Sequence, residues 1–88
     1  MANSRSADKR NRQNATRKAR NQALRSRMRT AVKKLRAAIQ AGDGEQAKSL
    51  LPTTLSVVAA TAQKGVIHKN AAARTQSRLT RAVNALGE

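Results

Sequence analysis

The large apolar residues fall into three stripes with helical spacing. The first runs Leu24, Met28, Ala31/Val32, Leu35 and Ala38/Ile39, in steps of three and four that place them on one helix face. Ala15, Ala19 and Ala23 carry it backward with small residues only. The pattern predicts a helix from about Asp8 to Ala41, with Gly42 as its C-cap glycine. Such a helix is roughly 50 Å long. Gly42-Asp43-Gly44 reads as a turn, with Asp43 as the next N-cap and Gln46 as its capping-box partner. The second stripe is Ala47, Leu51, Leu55, Val58 and Ala62. Pro52 lies inside it, lacks a backbone donor and crowds the preceding turn, so a kink or break is expected near Leu51, with helix secure from Pro52 onward. Thr53, Thr54, Val57, Val58 and Thr61 are weak helix formers, so packing must hold this element. Lys64-Gly65 closes it, with Val66 as the apolar contact after the glycine. Ile67-His68-Lys69-Asn70 is a short connection ending in Asn70 as an N-cap. The third stripe is Ala72, Leu79, Ala82/Val83 and Leu86; Thr75 or Gln76 stands where an apolar group would fit best, and Gly87 ends the element. Three amphipathic helices with short turns predict an all-α fold, an antiparallel three-helix bundle. The third helix spans about 24 Å, so roughly half of the long first helix extends beyond the bundle.

That overhang coincides with a change in composition. Between Ala2 and Ala23 no apolar residue is larger than alanine, and the 15 Val, Ile, Leu and Met residues other than Met1 all lie between Leu24 and Leu86. Charge divides at nearly the same place: the chain carries 19 Lys and Arg against 4 Asp and Glu, net +15, of which residues 1–36 hold +12. The 88 residues therefore read as one domain in two parts: a basic N-terminal arm, 1–23, and a three-helix core, 24–88. An arm so charged, with nothing large to bury, is expected to be disordered when free. Its Ala, Arg, Lys and Gln favour helix once an anion neutralises it, and it contains no Gly or Pro.

The same composition excludes several chemistries. There is no Cys, hence no disulfide framework, thiol nucleophile or thiolate zinc site, and the one His has no partners for a metal. Four scattered carboxylates suggest no acid–base pair, so the reading is non-enzymatic, with no cofactor and no small-molecule substrate. The longest purely apolar run is Val57-Val58-Ala59-Ala60, too short to span a membrane. No apolar segment follows the basic start, which argues against a signal peptide and for a cytoplasmic chain.

What remains is attraction to a polyanion. Arg25, Arg29, Lys33 and Arg36 form a column about 100° around the first helix from Leu24, Met28, Val32 and Leu35. Arg20, Arg27 and Lys34 form a second column, and Arg74, Arg78 and Arg81 a third beside Leu79. Solvated faces often look like this, but here almost no Glu interleaves with the cations, so pairing along the helix is not their purpose. In the arm, Arg5, Lys9, Arg10, Arg12, Arg17 and Lys18 alternate with short polar donors, among them Ser4, Ser6, Gln13 and Asn21, suited to phosphate and ribose oxygens. With no Phe, Trp or Tyr there is no platform for stacking single-stranded bases. Two partners fit: structured RNA held through phosphates and 2′-hydroxyls, or duplex DNA held through phosphates, as in a nucleoid-type DNA-binding protein. The DNA alternative lacks a recognition-helix motif. A third reading is a helical interaction module, which binding to an acidic protein without nucleic acid would favour, or a membrane-surface helix, which the arm's lack of a large apolar face weakens. His68 has two readings, as a donor to phosphate or stacking partner for a base, and as a cap on a carbonyl in the turn.

Gly65-Val66-Ile67-His68-Lys69-Asn70, followed by Ala72-Ala73-Arg74 and Ser77-Arg78-Leu79, resembles the signature joining helices two and three in the S-twenty family of bacterial small-subunit ribosomal proteins. Met1-Ala2-Asn3, Ser6-Ala7 and Lys9-Arg10 are similar to that family's N-terminus, and Asn21, Ser26, Arg29-Thr30, Lys33-Lys34 and Ala41-Gly42-Asp43 follow in order. The resemblance covers nearly the whole chain. It implies a three-helix bundle with a long first helix, binding directly to small-subunit (16S) ribosomal RNA early in assembly. It further implies a ribosome-bound single copy, not a homo-oligomer, with few or no direct protein neighbours. By the same resemblance the N-terminal cations, the His68-Lys69-Asn70 turn, Arg74 and Arg78 face RNA.

Overall fold

The helix stripes close into three helices in a computed structural model that describes residues 2–86, with side chains from Ser6 onward. They are α1 (Ala2–Gln40), α2 (Gly44–Gln63) and α3 (Lys69–Leu86). The helix α1 starts six residues earlier than Asp8, because nothing in the arm breaks it. Both glycine stops hold. Gly42 has φ 73° and Gly65 φ 77°, the left-handed conformation that a side chain penalises. Around Gly42 the amide of Asp43 donates to Ala38 O at 3.0 Å and that of Gly42 to Ile39 O at 3.1 Å, a Schellman closure; Val66 to Thr61 (3.2 Å) and Gly65 to Ala62 (2.9 Å) repeat it at the end of α2. Asp43 caps α2 by accepting from Gln46 N at 3.1 Å. The capping box is half used, since the Asp43 amide already donates to Ala38. Gly87, expected to end α3, lies outside the described residues.

Two expectations are corrected. The helix α2 begins at Gly44, eight residues ahead of Pro52, and runs unbroken through it to Gln63. Pro52 withholds one donor from the ladder, and its ring is exposed, while Ala47, Leu50 and Leu51 before it pack onto the core and Thr54 and Val58 after it are buried. Those contacts outweigh one missing bond. The second correction concerns Asn70. The cap of α3 is His68, whose Nδ1 accepts from the Asn70 amide at 3.0 Å and whose carbonyl accepts from Ala72 N at 3.1 Å. Asn70 is therefore inside the first turn.

The core centres on Leu35, Ala38, Ala47, Leu79 and Val83, with Val32, Ile39, Leu50, Leu51 and Leu86 packed around it. Gly44 lies against Leu86, so the start of α2 meets the end of α3 and the bundle is antiparallel. Along α2 the buried stripe is Ala47, Thr54, Val58 and Thr61, rotated from the expected one; Leu51, Leu55 and Ala62 are half-buried at its flanks. The middle helix faces both neighbours, so its apolar face is broad. Thr54 and Thr61 enter the core because their hydroxyls donate to Leu50 O (2.9 Å) and Val57 O (2.7 Å), leaving no buried hydroxyl unpaired. Gln76, the misfit of the third stripe, donates its side-chain amide to Leu55 O at 3.1 Å and so ties α3 to α2. No described helix is long and apolar enough to cross a membrane.

Candidate nucleic-acid interface

The described molecule measures 67 × 21 × 15 Å, and most of that length is α1. Residues 6–20 are all exposed, including Ala15 and Ala19, because no second helix stands opposite them. At 100° per residue, Lys9, Arg10, Arg12, Arg17, Lys18 and Arg20 spread over about two-thirds of the circumference, and Asp8, Asn11, Ala15 and Ala19 fill the remaining sector. The overhang is thus a rod with cations on most of its circumference rather than an amphipathic helix with an apolar face. Ser6 and Gln13 are exposed on it; the side chains of Ser4 and Arg5 lie outside the described residues. Asn21 departs from its neighbours: it is half-buried at the start of the Leu24–Met28 stripe, so it faces the bundle more than solvent.

Within the bundle the two columns on α1 separate to opposite flanks of the buried stripe. Arg29, Lys33 and Arg36 border a cleft of 510 Å³ floored by Met28 and Val32, with Thr75 of α3 on its far side. Arg27 and Lys34 border a cleft of 450 Å³ between α1 and α2. Arg25 is exposed in line with the first column, as are all these cations. Arg74, Arg78 and Arg81 are exposed too, but lie across α3 from Ala72, Leu79 and Val83 rather than beside Leu79.

The turn residues His68, Lys69 and Asn70 are exposed. With the His68 Nδ1 occupied as an acceptor, Nε2 is the ring nitrogen left to donate. It caps an amide rather than a carbonyl, and its Nε2–H remains an outward donor. The turn therefore presents an imidazole donor, an ammonium and a carboxamide at one end of the bundle. Among the described residues no cluster of His, Asp or Glu is arranged to hold a metal ion. Ser26, Thr30 and Thr53, which line the α1–α2 cleft, were not singled out by periodicity; they become visible only when two helices are set side by side.

Fold and surface together define a small helical protein whose charge is carried on a rod and on the flanks of its bundle. The ribosomal protein S20 family profile matches residues 2–84, and the chain belongs to that family. It is 51% identical over 87 residues to the small ribosomal subunit protein bS20 of Nitrosomonas europaea, covering 99% of this chain and 100% of the relative. The proteins of the same name from Nitrosomonas eutropha and Geobacter metallireducens are 49% and 46% identical, each over 99% of this chain and 100% of the relative.

Proposed function

We propose that this chain is a structural component of the small ribosomal subunit that binds small-subunit ribosomal RNA directly. One observation carries the reading: an all-exposed cationic rod, with nothing to bury, is held at one end by a bundle of its own. Its charges repel one another unless anions lie on several sides at once. Converging RNA helices supply phosphates in that arrangement. The rod, residues 1–23, enters between them and neutralises them; the core, 24–88, orients it. Arg25, Arg29, Lys33, Arg27 and Lys34 extend the contact along α1, while His68, Lys69, Asn70, Arg74, Arg78 and Arg81 form a second contact from the turn and α3. Contact is through phosphate and ribose, since the chain has no aromatic ring beyond His68 on which to stack a base.

Crosslinking in growing cells, followed by sequencing of the attached nucleic acid, tests this. Crosslinks should concentrate at a few sites in small-subunit ribosomal RNA. Crosslinks dispersed over chromosomal DNA would replace the reading with the nucleoid-type alternative.

A further inference from the structure

The two clefts flanking α1 differ in one respect that charge does not explain. The α1–α3 cleft has a single hydroxyl, that of Thr75. The α1–α2 cleft is lined by four, from Ser26, Thr30, Thr53 and Thr54. Helical threonines in this chain commonly turn back on their own helix: Thr16, Thr54, Thr61 and Thr80 each donate to the carbonyl four residues earlier, at 2.7–2.9 Å. Ser26, Thr30 and Thr53 hydrogen-bond to no described residue, and all three are exposed. Three unengaged hydroxyls thus stand in one recess, over a floor that includes Ala31, Leu50 and Val57. Arg27 and Lys34, two helical turns or about 10 Å apart, mark its two ends.

Resting on the function proposed above, we infer that the α1–α2 cleft seats the sugar edge of one RNA strand and discriminates ribose from deoxyribose. Arg27 and Lys34 meet phosphates at the two ends. Ser26, Thr30 and Thr53 exchange hydrogen bonds with 2′-hydroxyls, and the apolar floor lies under the sugar carbons. A hydroxyl is both donor and acceptor, as is the 2′-hydroxyl, so the pairing is satisfied in either direction. Phosphate contacts alone bind RNA and DNA alike, whereas the 2′-hydroxyl is the group that tells them apart. The cleft therefore supplies ribose selectivity that the rod's phosphate contacts do not.

The test uses the full chain with a short RNA duplex and the same duplex carrying 2′-fluoro in place of every 2′-hydroxyl, which keeps the A-form. The natural chain should bind the ribose duplex about tenfold more tightly, at a few-fold per hydroxyl pair. The Ser26→Ala, Thr30→Val, Thr53→Val chain should lose most of that preference, with an unchanged salt dependence. Thr30→Ser with Thr53→Ser should keep the preference, and so should Thr75→Val in the other cleft. Equal ribose preference in the natural and hydroxyl-free chains overturns the inference. A transcript of small-subunit ribosomal RNA, competed against random duplex DNA, is measured alongside. If the natural chain prefers the transcript while the hydroxyl-free chain keeps the ribose preference, only the cleft assignment falls. If the natural chain does not prefer the transcript, the proposed function falls and the cleft assignment with it.

Discussion

His68 occupies a cap position that serine, threonine, aspartate and asparagine usually hold. Its Nδ1 does the work of a hydroxyl by receiving the Asn70 amide, while the rest of the ring stays in solvent. Stability and the proposed RNA contact are therefore separable at this residue. His68→Ala should lower the unfolding free energy by about 1 kcal/mol through the lost cap. His68→Asn should restore most of it without restoring RNA affinity; thermal melts by circular dichroism and binding titrations on both variants check this. The other caps were legible because they depend on residue types with few alternatives: a positive φ at Gly42 and Gly65 asks for glycine, and Asp43 is a standard helix start. Asn70 misled because asparagine is the better cap by frequency, and the reach of an imidazole to an amide two residues on leaves no periodic trace.

Among the elements, α2 departs most from its sequence pattern. Helix propensity argued for a break at Pro52, and the packing of Ala47, Leu50 and Leu51 overrides it. Pro52→Ala should return one backbone hydrogen bond and remove the ring's crowding, a gain of up to about 3 kcal/mol from propensity. The proline's restriction of the unfolded chain offsets up to about 1 kcal/mol of that. A net rise in stability of roughly 1–2 kcal/mol is expected. Denaturant unfolding measures it, and a fall would mean that the helix bends at Pro52 to fit its neighbours. The buried stripe of α2 was hidden for a related reason. Thr54 and Thr61 count as polar in any hydropathy reading, and only their back-bonded hydroxyls make them core residues. By contrast α1 keeps the apolar stripe read from its spacing, Leu24 to Ile39, and departs chiefly in its start, six residues ahead of Asp8.

For the molecule as a whole, the proposed function divides the chain at about residue 23, with folding in one part and most of the polyanion contact in the other. A chain lacking residues 1–23 loses seven cations and one acid. It should keep the melting behaviour of the bundle, bind ribosomal RNA orders of magnitude more weakly, and show a log–log salt slope shallower by roughly one for each cation taken off a phosphate. Unchanged affinity would move the principal contact to the bundle. The charged positions of this surface were legible from sequence, since spacing alone orders Arg25, Arg29, Lys33 and Arg36. The clefts were not, because Ser26 and Thr30 meet Thr53 only across the helix pair.

Mechanically, α1 is a cantilever. Its seat extends from Leu24 to Ile39, and the free length from Ala2 to Ala23 is about 33 Å. A tilt of about 5° at the seat displaces the tip by about 3 Å. Leu24 and Met28, half-buried at the lip of that seat, therefore act as a fulcrum. A change of side-chain volume there is read out most strongly at the far end of the lever, among residues that touch neither of them.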